Sequence, residues 1–430
     1  MALFAGVARE KITPKVGGFL FGYNDQTKSD SIHDDLMATA LALKSGDTST
    51  IILSIDVCLI HNTICEEIRS KIAAETGIPA KNVILSPTHT HSGPRTMGFG
   101  EFGNWGTIDE EYCKSILIPK CIAAGKAAAA KMVPVKMGTS TTESKVGINR
   151  RELLRDNTVI LGQNPWDTYD STMTVITFVG EDGKSLANVV HVGAHCTASG
   201  INHEVTRDWA GVMVDRMEAE SGALTLFING TSGDVAPRMA NGGSTGDIQH
   251  AMEVGGLAGI DAVRAYKTIR TFYDEPLEVI CGELALPYVP PLSKAELDAR
   301  LAVPVDGEGW ERRERSSYER LAKLYESGDL GPDAWTMHQT ILRIGPVVMV
   351  PFPFETSSEI GLRLRTYSPF AHTLLLGNAN GSNSYLPAES QLCRGGYEVE
   401  SFKWFRPRQL PNDSDKQLVD QNMMLIEKLK

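Results

Sequence analysis

Short apolar runs alternate with amphipathic stretches along the first half of the chain. The run IILSIDVC from Ile51 is typical of a buried strand, and TICEEIRSKIAAETG from Thr63 has the spacing of an amphipathic helix that ends at Gly77. The runs NVILSP, MTVITFVG, LANVVHVGAH and LTLFING predict further strands, and a long helix is predicted from Asp109. This alternation predicts an α/β fold in which helices flank a mixed β-sheet core.

A charged segment of helical period interrupts the second half of the chain. We predict a helical insertion at residues 290–337, where Ser293 and Glu296 fit a capping box. Strands are expected to resume at Ile341 with ILRIGPVVMVPF and to continue with TLLLGN, and SDKQLVDQNMMLIEKLK predicts a last helix. Because no long linker is visible, we expect residues 1–430 to form a single catalytic domain.

Composition narrows the classes of partner. The chain has 42 Lys and Arg and 53 Asp and Glu, a formal net charge of -11, which argues against nucleic acid or an anionic membrane as the main partner. The longest apolar run contains Asp56 and is too short to span a bilayer, so we expect no stable membrane anchor. A small-molecule substrate is the expected partner, and a homo-oligomer stays open.

The cysteines and the N-terminus suggest a compartment. The seven cysteines are odd in number and contain no CxxC pair, which argues against a disulfide framework or a cysteine zinc knuckle. In the opening segment MALFAGVAREKITPK, charged residues precede any signal-peptide core. We therefore predict a cytoplasmic protein.

The strongest local pattern is an apolar strand that runs directly into His89-Thr90-His91. Side chains two apart in an extended segment share a face, so the two imidazoles are predicted to converge where the strand ends. The glycine-rich loop that follows offers Arg95 and Trp105 as substrate contacts. This motif alone leaves two interpretations open. The histidines have a metal-binding or catalytic role, or they simply lie in a polar loop.

Later strands end at further polar residues. His195 follows LANVVHVGA and is the better ligand candidate, whereas His191 inside that strand is interpreted as a core histidine. After LTLFIN, Gly230 and Gly233 predict a tight turn that permits positive φ, and the backbone N–H groups of this turn could face an anionic centre. Asp234 is either an Asx cap or a general base.

Two further segments add oxygen donors. Glu355 lies between a predicted strand and helix, where it is a ligand candidate or a partner of the helix dipole. Tyr385 and Tyr397 lie in a loop rich in Gly, Asn and Ser, and a loop of that size in a compact protein is often functional.

Together these segments resemble the neutral ceramidases, a family of zinc-dependent amidases. The resemblance extends from GVAREKITP through SIHDDLMATALAL and THTHSGP to GGYEV. It implies the ceramidase catalytic fold, a Zn²⁺ ion, and site residues of two kinds. The implied zinc ligands are His89, His195, Glu355 and Tyr385. The implied catalytic residues are His91, Arg150 and Tyr397.

The chain departs from the family pattern in two places. The family's Gly-Asp-Val-Ser-Pro stands here as GDVAP, so that Ala236 replaces a serine assigned as nucleophile or substrate contact. The chain also ends about thirty residues after Tyr397, so we expect no C-terminal immunoglobulin-like domain.

The expected function is that of a zinc-dependent hydrolase. It is predicted to cleave an amide, or an ester or lactone, in a small polar molecule by attack of zinc-bound hydroxide. The substrate oxygen would be held by His91, Arg150 and Tyr397. The remainder of the substrate would contact Arg95 and Trp105. The alternatives are a true ceramidase that hydrolyses N-acylsphingosine, a non-catalytic metal-binding protein and a zinc phosphoesterase.

Overall fold

A computed structural model of the chain describes residues 2–24, 26–98, 106–305 and 309–429. The strands are β1 (Leu3–Lys11), β2 (Leu20–Phe21), β3 (Ser31–Ile32), β4 (Met37–Ser45), β5 (Thr48–Ile55), β6 (Val83–Pro87), β7 (Gly93–Pro94), β8 (Val133–Glu143), β9 (Gly147–Asn149), β10 (Arg151–Leu153), β11 (Val159–Leu161), β12 (Thr172–Gly180), β13 (Ser185–Val192), β14 (Glu204–Val205), β15 (Leu224–Asn229), β16 (Val235–Pro237), β17 (Leu277–Pro287), β18 (Ala334–Ile344), β19 (Val347–Pro351), β20 (Glu355–Thr356), β21 (His372–Leu376) and β22 (Tyr385–Leu386). The helices are α1 (Asn62–Thr76), α2 (Glu110–Tyr112), α3 (Ile118–Ala130), α4 (Asp208–Ser221), α5 (Ile248–Thr268), α6 (Lys294–Ala302), α7 (Trp310–Ser327), α8 (Ser358–Tyr367), α9 (Glu389–Leu392), α10 (Tyr397–Trp404) and α11 (Ser414–Ile426).

Two sheets form the centre of the molecule. The larger sheet has eight strands in the order β15-β13-β12-β8-β1-β4-β5-β6, with parallel pairs at both ends and antiparallel pairs between them. The smaller sheet has the order β17-β18-β19-β21 and is also mixed. The predicted α/β class with a mixed sheet is confirmed.

The hydrophobic cores define four layers. Aliphatic side chains of the larger sheet, such as Leu41 and Ile52, pack against Leu342 and Met349 of the smaller sheet. Helices α1, α3, α4 and α5 cover the outer face of the larger sheet, and α8, α10 and α11 cover the smaller one. Both sheets are therefore buried on two faces, which explains why their strands appear in the sequence as nearly continuous apolar runs.

The helices begin and end close to the predicted positions. Helix α1 ends at Thr76, and Gly77 follows in the left-handed conformation (φ 73°) with its N–H donated to the Ala73 carbonyl. The helix predicted from Asp109 extends to Ala130 and contains a π-helical segment, Cys113–Leu117. Within the described ranges, no helix is long and apolar enough to cross a membrane.

The predicted insertion is shorter than the sequence suggested. Helices α6 and α7 lie within residues 290–337, and the Ser293–Glu296 capping box is present. Strand β18, however, begins at Ala334 rather than at Ile341, and it pairs with β17 along its whole length. Its first residues alternate between half-buried and exposed side chains, so they lack the apolar run that identifies a strand in sequence. The insertion therefore connects the two strands of one long hairpin.

A pair of glycine substitutions tests the packing of α3 on the larger sheet. We expect Gly6→Ala to lower the melting temperature, because a Cβ there would lie 2.2 Å from the Ala128 carbonyl oxygen and 2.8 Å from the Met132 amide nitrogen. Overpacking of this kind costs about 1–3 kcal/mol.

The matched control is Gly256→Ala in the middle of α5, where a Cβ meets no atom within 4 Å. This variant should gain about 0.5–1 kcal/mol from the better helix propensity of alanine. Thermal unfolding followed by circular dichroism measures both changes. A Gly6→Ala protein that melts at the wild-type temperature would contradict the close approach of α3 to β1.

Candidate active site

Four predicted ligand residues lie together where strands of both sheets end. His89 follows β6 and His195 follows β13, while Glu355 and Tyr385 begin the short parallel strands β20 and β22 and face each other in register. All four side chains are buried. The structure thus brings the predicted donors from four distant segments to one place.

The side chain of Asn229 joins the two segments that carry the histidines. Its amide nitrogen donates hydrogen bonds to the carbonyl oxygens of Thr88 (3.1 Å) and Ala194 (3.0 Å). These residues directly precede His89 and His195, so one buried amide fixes the positions of both imidazoles.

Three donor atoms face a common centre. The Nε2 atoms of His89 and His195 lie 3.3 Å and 3.2 Å from Oε2 of Glu355. The three side chains thus form a group whose donor atoms all lie within 4.8 Å of one another, as in a metal site. Among the described residues, His195 Nε2 and Glu355 Oε2 have no hydrogen-bond partner of acceptable geometry. Because buried polar atoms are normally satisfied, these atoms fit a site for a bound cation.

Backbone carbonyls orient both imidazole rings. Nδ1 of His89 lies 2.9 Å from the Cys58 carbonyl oxygen, and Nδ1 of His195 lies 2.7 Å from that of Ser232. A carbonyl oxygen only accepts, so each Nδ1 carries a proton and each Nε2 faces Glu355. A second hydrogen bond of this kind is the usual support of a metal-binding histidine.

The charges of the site shift the pKa values in different directions. Burial lowers the pKa of His195 to about 4, and the nearby positive charges of Arg150 and His89 act in the same direction. Burial also opposes protonation of His89, but Cys58 and Glu355 outweigh it and raise the pKa of this residue. Burial and the Glu355 carboxylate raise the pKa of the Tyr385 hydroxyl well above its usual value.

His91 reaches the site by a different route from the one predicted. His89 has φ +71°, so the segment turns instead of continuing the strand. The imidazoles of His89 and His91 meet edge to face at 4.9 Å, with their Nε2 atoms 3.4 Å apart. The two rings converge because of this left-handed turn, and the expectation of a shared strand face was wrong.

A second group of donors lies beside the first. Cys58, His89 and His91 also place one donor atom each within 4.8 Å of the others. Burial raises the pKa of the Cys58 thiol, which disfavours the thiolate form that binds metals. The group of His89, His195 and Glu355 is therefore the better metal site.

Arg150 belongs to a buried ion cluster next to Tyr385. Its Nε donates to Glu398 Oε1 at 2.8 Å and its Nη2 donates to the Tyr385 hydroxyl at 3.1 Å. Nη1 of Arg151 donates to the other oxygen of Glu398 at 2.5 Å. Glu398 therefore fixes the guanidinium of Arg150, and the sequence analysis did not identify this carboxylate.

Tyr397 lies in a helix rather than in the predicted loop. It is the first residue of α10 and follows Gly396, which has φ 93°. Its ring lies 5.4 Å from the ring of Tyr385 and 5.4 Å from that of Trp310 on α7. The helical insertion therefore contributes to the surroundings of the proposed catalytic tyrosine.

A cavity of about 90 Å³ that is open to solvent leads to these residues. His89, His91, Glu355, Tyr385 and Tyr397 all contribute to its lining. The rest of the lining includes side chains that the sequence analysis did not predict, among them Phe21, Cys58, Leu59, Arg313, Ser401 and Phe405. Among these residues, only Cys58 could have been inferred from the sequence, because it ends the apolar run IILSIDVC that begins at Ile51.

The predicted substrate contacts lie elsewhere or outside the described ranges. Arg95 is not part of the lining of this cavity, and its guanidinium lies 4.2 Å from the ring of Phe19. Its predicted role as a substrate contact therefore has no support from its position. Trp105 is not among the residues that the structure describes.

The segment after β15 serves packing rather than anion binding. Neither Gly230 nor Gly233 uses the positive φ that a glycine permits. Gly233 is required for space, because a Cβ there would lie 2.6 Å from the Glu355 carbonyl oxygen. Asp234 accepts hydrogen bonds from the backbone N–H of Ser358 (2.8 Å) and from Gln391 (2.9 Å), so it holds the start of α8 and does not line the cavity.

Two other interpretations agree with the structure. Nε2 of His191 lies 2.9 Å from the Leu375 carbonyl oxygen, as expected of a satisfied core histidine. Ala236 is fully buried in β16, opposite Ile148 of β9. No hydroxyl group is available at that position.

Comparison with known proteins gives relatives from two organisms. The chain is 26% identical over 238 residues to neutral ceramidase B of Dictyostelium discoideum, which covers 51% of this chain and 33% of the relative. It is 21% identical over 448 residues to the neutral ceramidase of Pseudomonas aeruginosa, which covers 88% of this chain and 66% of the relative. The chain thus spans less than two thirds of the length of the Dictyostelium relative and 66% of the bacterial one.

Solved structures share the fold. The crystal structure of neutral ceramidase from Pseudomonas aeruginosa matches with a TM-score of 0.76 at 19% identity, over 100% of this chain and 75% of that chain. A structure described as ceramidase complexed with C2 matches with a TM-score of 0.74 at 17% identity, over 99% and 74%.

A family model agrees with these matches. The model for the N-terminal part of the neutral/alkaline non-lysosomal ceramidases matches residues 4–251, more than half of the chain. The chain therefore belongs to the neutral/alkaline non-lysosomal ceramidase family.

Proposed function

We propose that this protein is a zinc-dependent hydrolase that cleaves an amide, or an ester or lactone, in a small polar molecule. The observation that carries the proposal is the convergence of His89 Nε2, His195 Nε2 and Glu355 Oε2 at one buried point beside a cavity. Membership of a family of hydrolases supports the reaction class. The site, rather than the fold, carries the argument, because one fold can support several chemistries.

The donor set suits zinc better than the harder divalent cations. Zinc binds nitrogen and oxygen ligands at about 2.0–2.1 Å in a tetrahedron, which puts neighbouring donor atoms roughly 3.3 Å apart. The distances of 3.3 Å and 3.2 Å from Glu355 to the two histidines agree with that spacing. Tyr385 is the proposed fourth ligand. When bound, zinc polarises a carbonyl group and lowers the pKa of a water molecule.

Arg150 is proposed to stabilise the charge that develops on the substrate oxygen. Burial opposes the charge of Arg150, but the interactions with Tyr385 and Glu398 outweigh burial and raise the pKa of Arg150, so this residue stays protonated. Its hydrogen bond to Glu398 fixes the guanidinium before the substrate arrives. A preorganised cation in a site of low dielectric constant is effective at the transition state, because no reorganisation is needed.

Tyr397 and His91 are proposed to handle protons and hydrogen bonds at the substrate. Burial raises the pKa of Tyr397, so its hydroxyl stays protonated and can donate a hydrogen bond to a carbonyl oxygen. His91 also lines the cavity, and within the described residues its Nδ1 has no hydrogen-bond partner. The imidazole of His91 is proposed to pass a proton to the leaving group.

A covalent acyl-enzyme at the family's serine position is excluded by chemistry. Ala236 offers no nucleophile, and it is buried away from the cavity lining. The neighbouring Ser232 is buried, and its backbone carbonyl supports His195. We therefore propose direct hydrolysis without a covalent intermediate on these residues.

True ceramidase activity is the second candidate. It is favoured by the names of the relatives and by the apolar part of the lining, which includes Phe21, Leu59 and Phe405. Turnover of a fluorescent N-acylsphingosine, compared with a panel of small polar amides, esters and lactones, separates the two candidates. A preference for the N-acylsphingosine would overturn the polar-substrate proposal and leave the hydrolase proposal intact.

A metal-binding protein without catalysis is less well supported. Such a protein needs ligands, but it does not need Arg150 and Tyr397 beside the ligand Tyr385. We further propose that residues 1–430 act as a single catalytic domain. The cytoplasmic location expected from the sequence stays a prediction.

The first prediction concerns metal content. The purified protein should contain one zinc ion per chain, and His89→Ala and His195→Ala should each lose most of it, because each removes one of three convergent donors. Elemental analysis by mass spectrometry after dialysis measures the ratio. His203→Ala is the matched control, since this exposed histidine lies outside the group and should keep its zinc. Full zinc content in both site variants would show that the ligands are assigned wrongly.

The second prediction separates catalysis from metal binding. Arg150→Ala and Tyr397→Phe should retain zinc but lose about 100-fold or more in kcat/KM, because they remove donors to the substrate oxygen rather than to the metal. Steady-state kinetics on the best substrate of the panel, together with zinc analysis, provide the test. Tyr367→Phe, an exposed tyrosine on α8, is the control. Loss of zinc in either site variant would place that residue among the ligands.

The third prediction concerns the buried ion cluster. Glu398→Gln should destabilise the protein by about 3–5 kcal/mol at neutral pH, because it leaves Arg150 and Arg151 buried without their counter-charge. Burial alone would raise the pKa of Glu398, but the two guanidinium groups outweigh it and lower the pKa. This carboxylate therefore stabilises the fold above its ordinary pKa, and the contribution is lost as the pH falls through the lowered folded-state value.

Melting temperatures of wild type and Glu398→Gln between pH 7 and pH 3 test this expectation. The difference should be large at pH 7 and should shrink at acidic pH. Glu389→Gln, which removes an exposed ion pair with Lys416, serves as control and should change little. A difference for Glu398→Gln that is constant with pH would contradict the electrostatic explanation.

A further inference from the structure

Helix α5 is apolar on its outer face as well as on its inner one. Inner side chains such as Val254 and Ala258 are buried against α4 and the larger sheet. Met252, Leu257 and Ile260, however, expose 45%, 64% and 44% of their surface. The outer face of a surface helix is normally polar, so aliphatic side chains in this position indicate a contact surface.

The other helices that the structure describes show much less of this. Only α8 and α11 also expose a large apolar side chain, with one residue each, Tyr367 and Met424. The outer face of α5 is also open in its middle, because a Cβ at Gly256 would meet no atom within 4 Å. A second helix can therefore approach α5 closely at this point.

Charged residues flank the apolar centre of α5. Glu253, Leu257, Ile260 and Arg264 are all exposed and follow one another at spacings of four, three and four residues. Such spacings put all four side chains on one stripe along the helix. The stripe is acidic at its N-terminal end, basic at its C-terminal end and aliphatic between them. It is therefore complementary to a reversed copy of itself.

Both charged side chains lie at the surface of the helix. Among the described residues, Arg264 makes its hydrogen bonds through Nε and Nη2, including one to Asp261 at 2.7 Å. The Arg264 side chain is still 53% exposed, and a guanidinium has five N–H donors, so Nη1 can bind a further carboxylate. Glu253 accepts a hydrogen bond from Gln249 on the same helix at 3.0 Å.

We propose that the outer face of α5 binds the same face of a second copy of this chain, with the two helices antiparallel about a two-fold axis. In a symmetric contact of this kind, each residue pair occurs twice. With the axis between Leu257 and Ile260, Leu257 lies opposite the partner's Ile260, and Glu253 lies opposite the partner's Arg264. The apolar centre is then buried, and each end of the contact holds a pair of opposite charges.

The size of this surface sets the expected strength of the dimer. Antiparallel helices that cross at about 20° stay in contact over several turns. One face of a 21-residue helix is nevertheless smaller than the roughly 800 Å² per partner of a standard interface. We therefore expect a weak dimer that forms at micromolar concentration. No residue of α5 lines the cavity described above, so this proposal is independent of the hydrolase function.

Sedimentation velocity of the full chain, from low to high micromolar concentration, tests the proposal. Wild type should show a monomer–dimer equilibrium. Leu257→Lys should raise the dissociation constant about 10-fold or more, because each dimer then holds two additional charges in its apolar centre. The matched control is Leu161→Lys on β11, where the leucine is 41% exposed, and it should keep the wild-type constant. Circular dichroism melting confirms that each variant is folded.

Charge reversal tests the antiparallel register. Glu253→Arg and Arg264→Glu should each raise the dissociation constant by about 3- to 10-fold, because each dimer contains two exposed ion pairs. The double variant should return towards the wild-type constant, since the facing charges are again opposite. A wild-type chain that stays monomeric, or a dimer that Leu161→Lys disrupts and Leu257→Lys does not, would overturn the proposal. A double variant that associates no better than the single variants would contradict the antiparallel pairing.

Discussion

The buried amide of Asn229 is the contact on which the arrangement of the site depends. It is hydrogen-bonded to Thr88 and Ala194, and so ties together the ends of β6, β13 and β15. These strands belong to the two ends of the larger sheet, yet Thr90 and Cys196 form a parallel bridge beside the amide. The sheet must curl for this to happen, because eight strands about 4.8 Å apart would hold the two edges of a flat sheet roughly 34 Å from each other. The candidate metal site therefore depends on the curl of the sheet, and Asn229 links the strand ends that the curl brings together.

The sequence predicted the donors but not the geometry that unites them. A polar residue directly after a buried apolar strand must lie at the end of a sheet, which identified His89, His195 and Glu355. The left-handed turn at His89 depends on the packing of the chain against Val57 and Cys58, whose carbonyls accept from its backbone and its ring. Such long-range contacts leave no periodic signal in the sequence.

Predictions failed where local pattern and tertiary structure disagree. The first residues of β18 alternate polar and apolar side chains on a half-exposed hairpin. Their composition resembles that of the preceding helix, so the sequence analysis assigned them to the helical insertion. Tyr397 was predicted to be a site residue from its motif. Its position at the start of α10 depends on Gly396, whose positive φ ends the preceding loop. Glu398 gained its importance only from Arg150 and Arg151, which lie about 250 residues earlier in the chain.

Arg150 and Arg313 lie near the site but belong to different parts of the fold. Glu398 balances the charge of Arg150 inside the protein and fixes its guanidinium. Another nitrogen of the same guanidinium donates a hydrogen bond to the Tyr385 hydroxyl. Arg313 lies on the inserted helix α7, where its guanidinium is 4.6 Å from the centre of the Trp310 ring. In the proposed enzyme, the strand ends of the two sheets supply the reactive groups, and the inserted helix supplies part of the cavity lining. Because these parts come from separate segments, substrate preference can change through α7 while the metal-binding group stays intact.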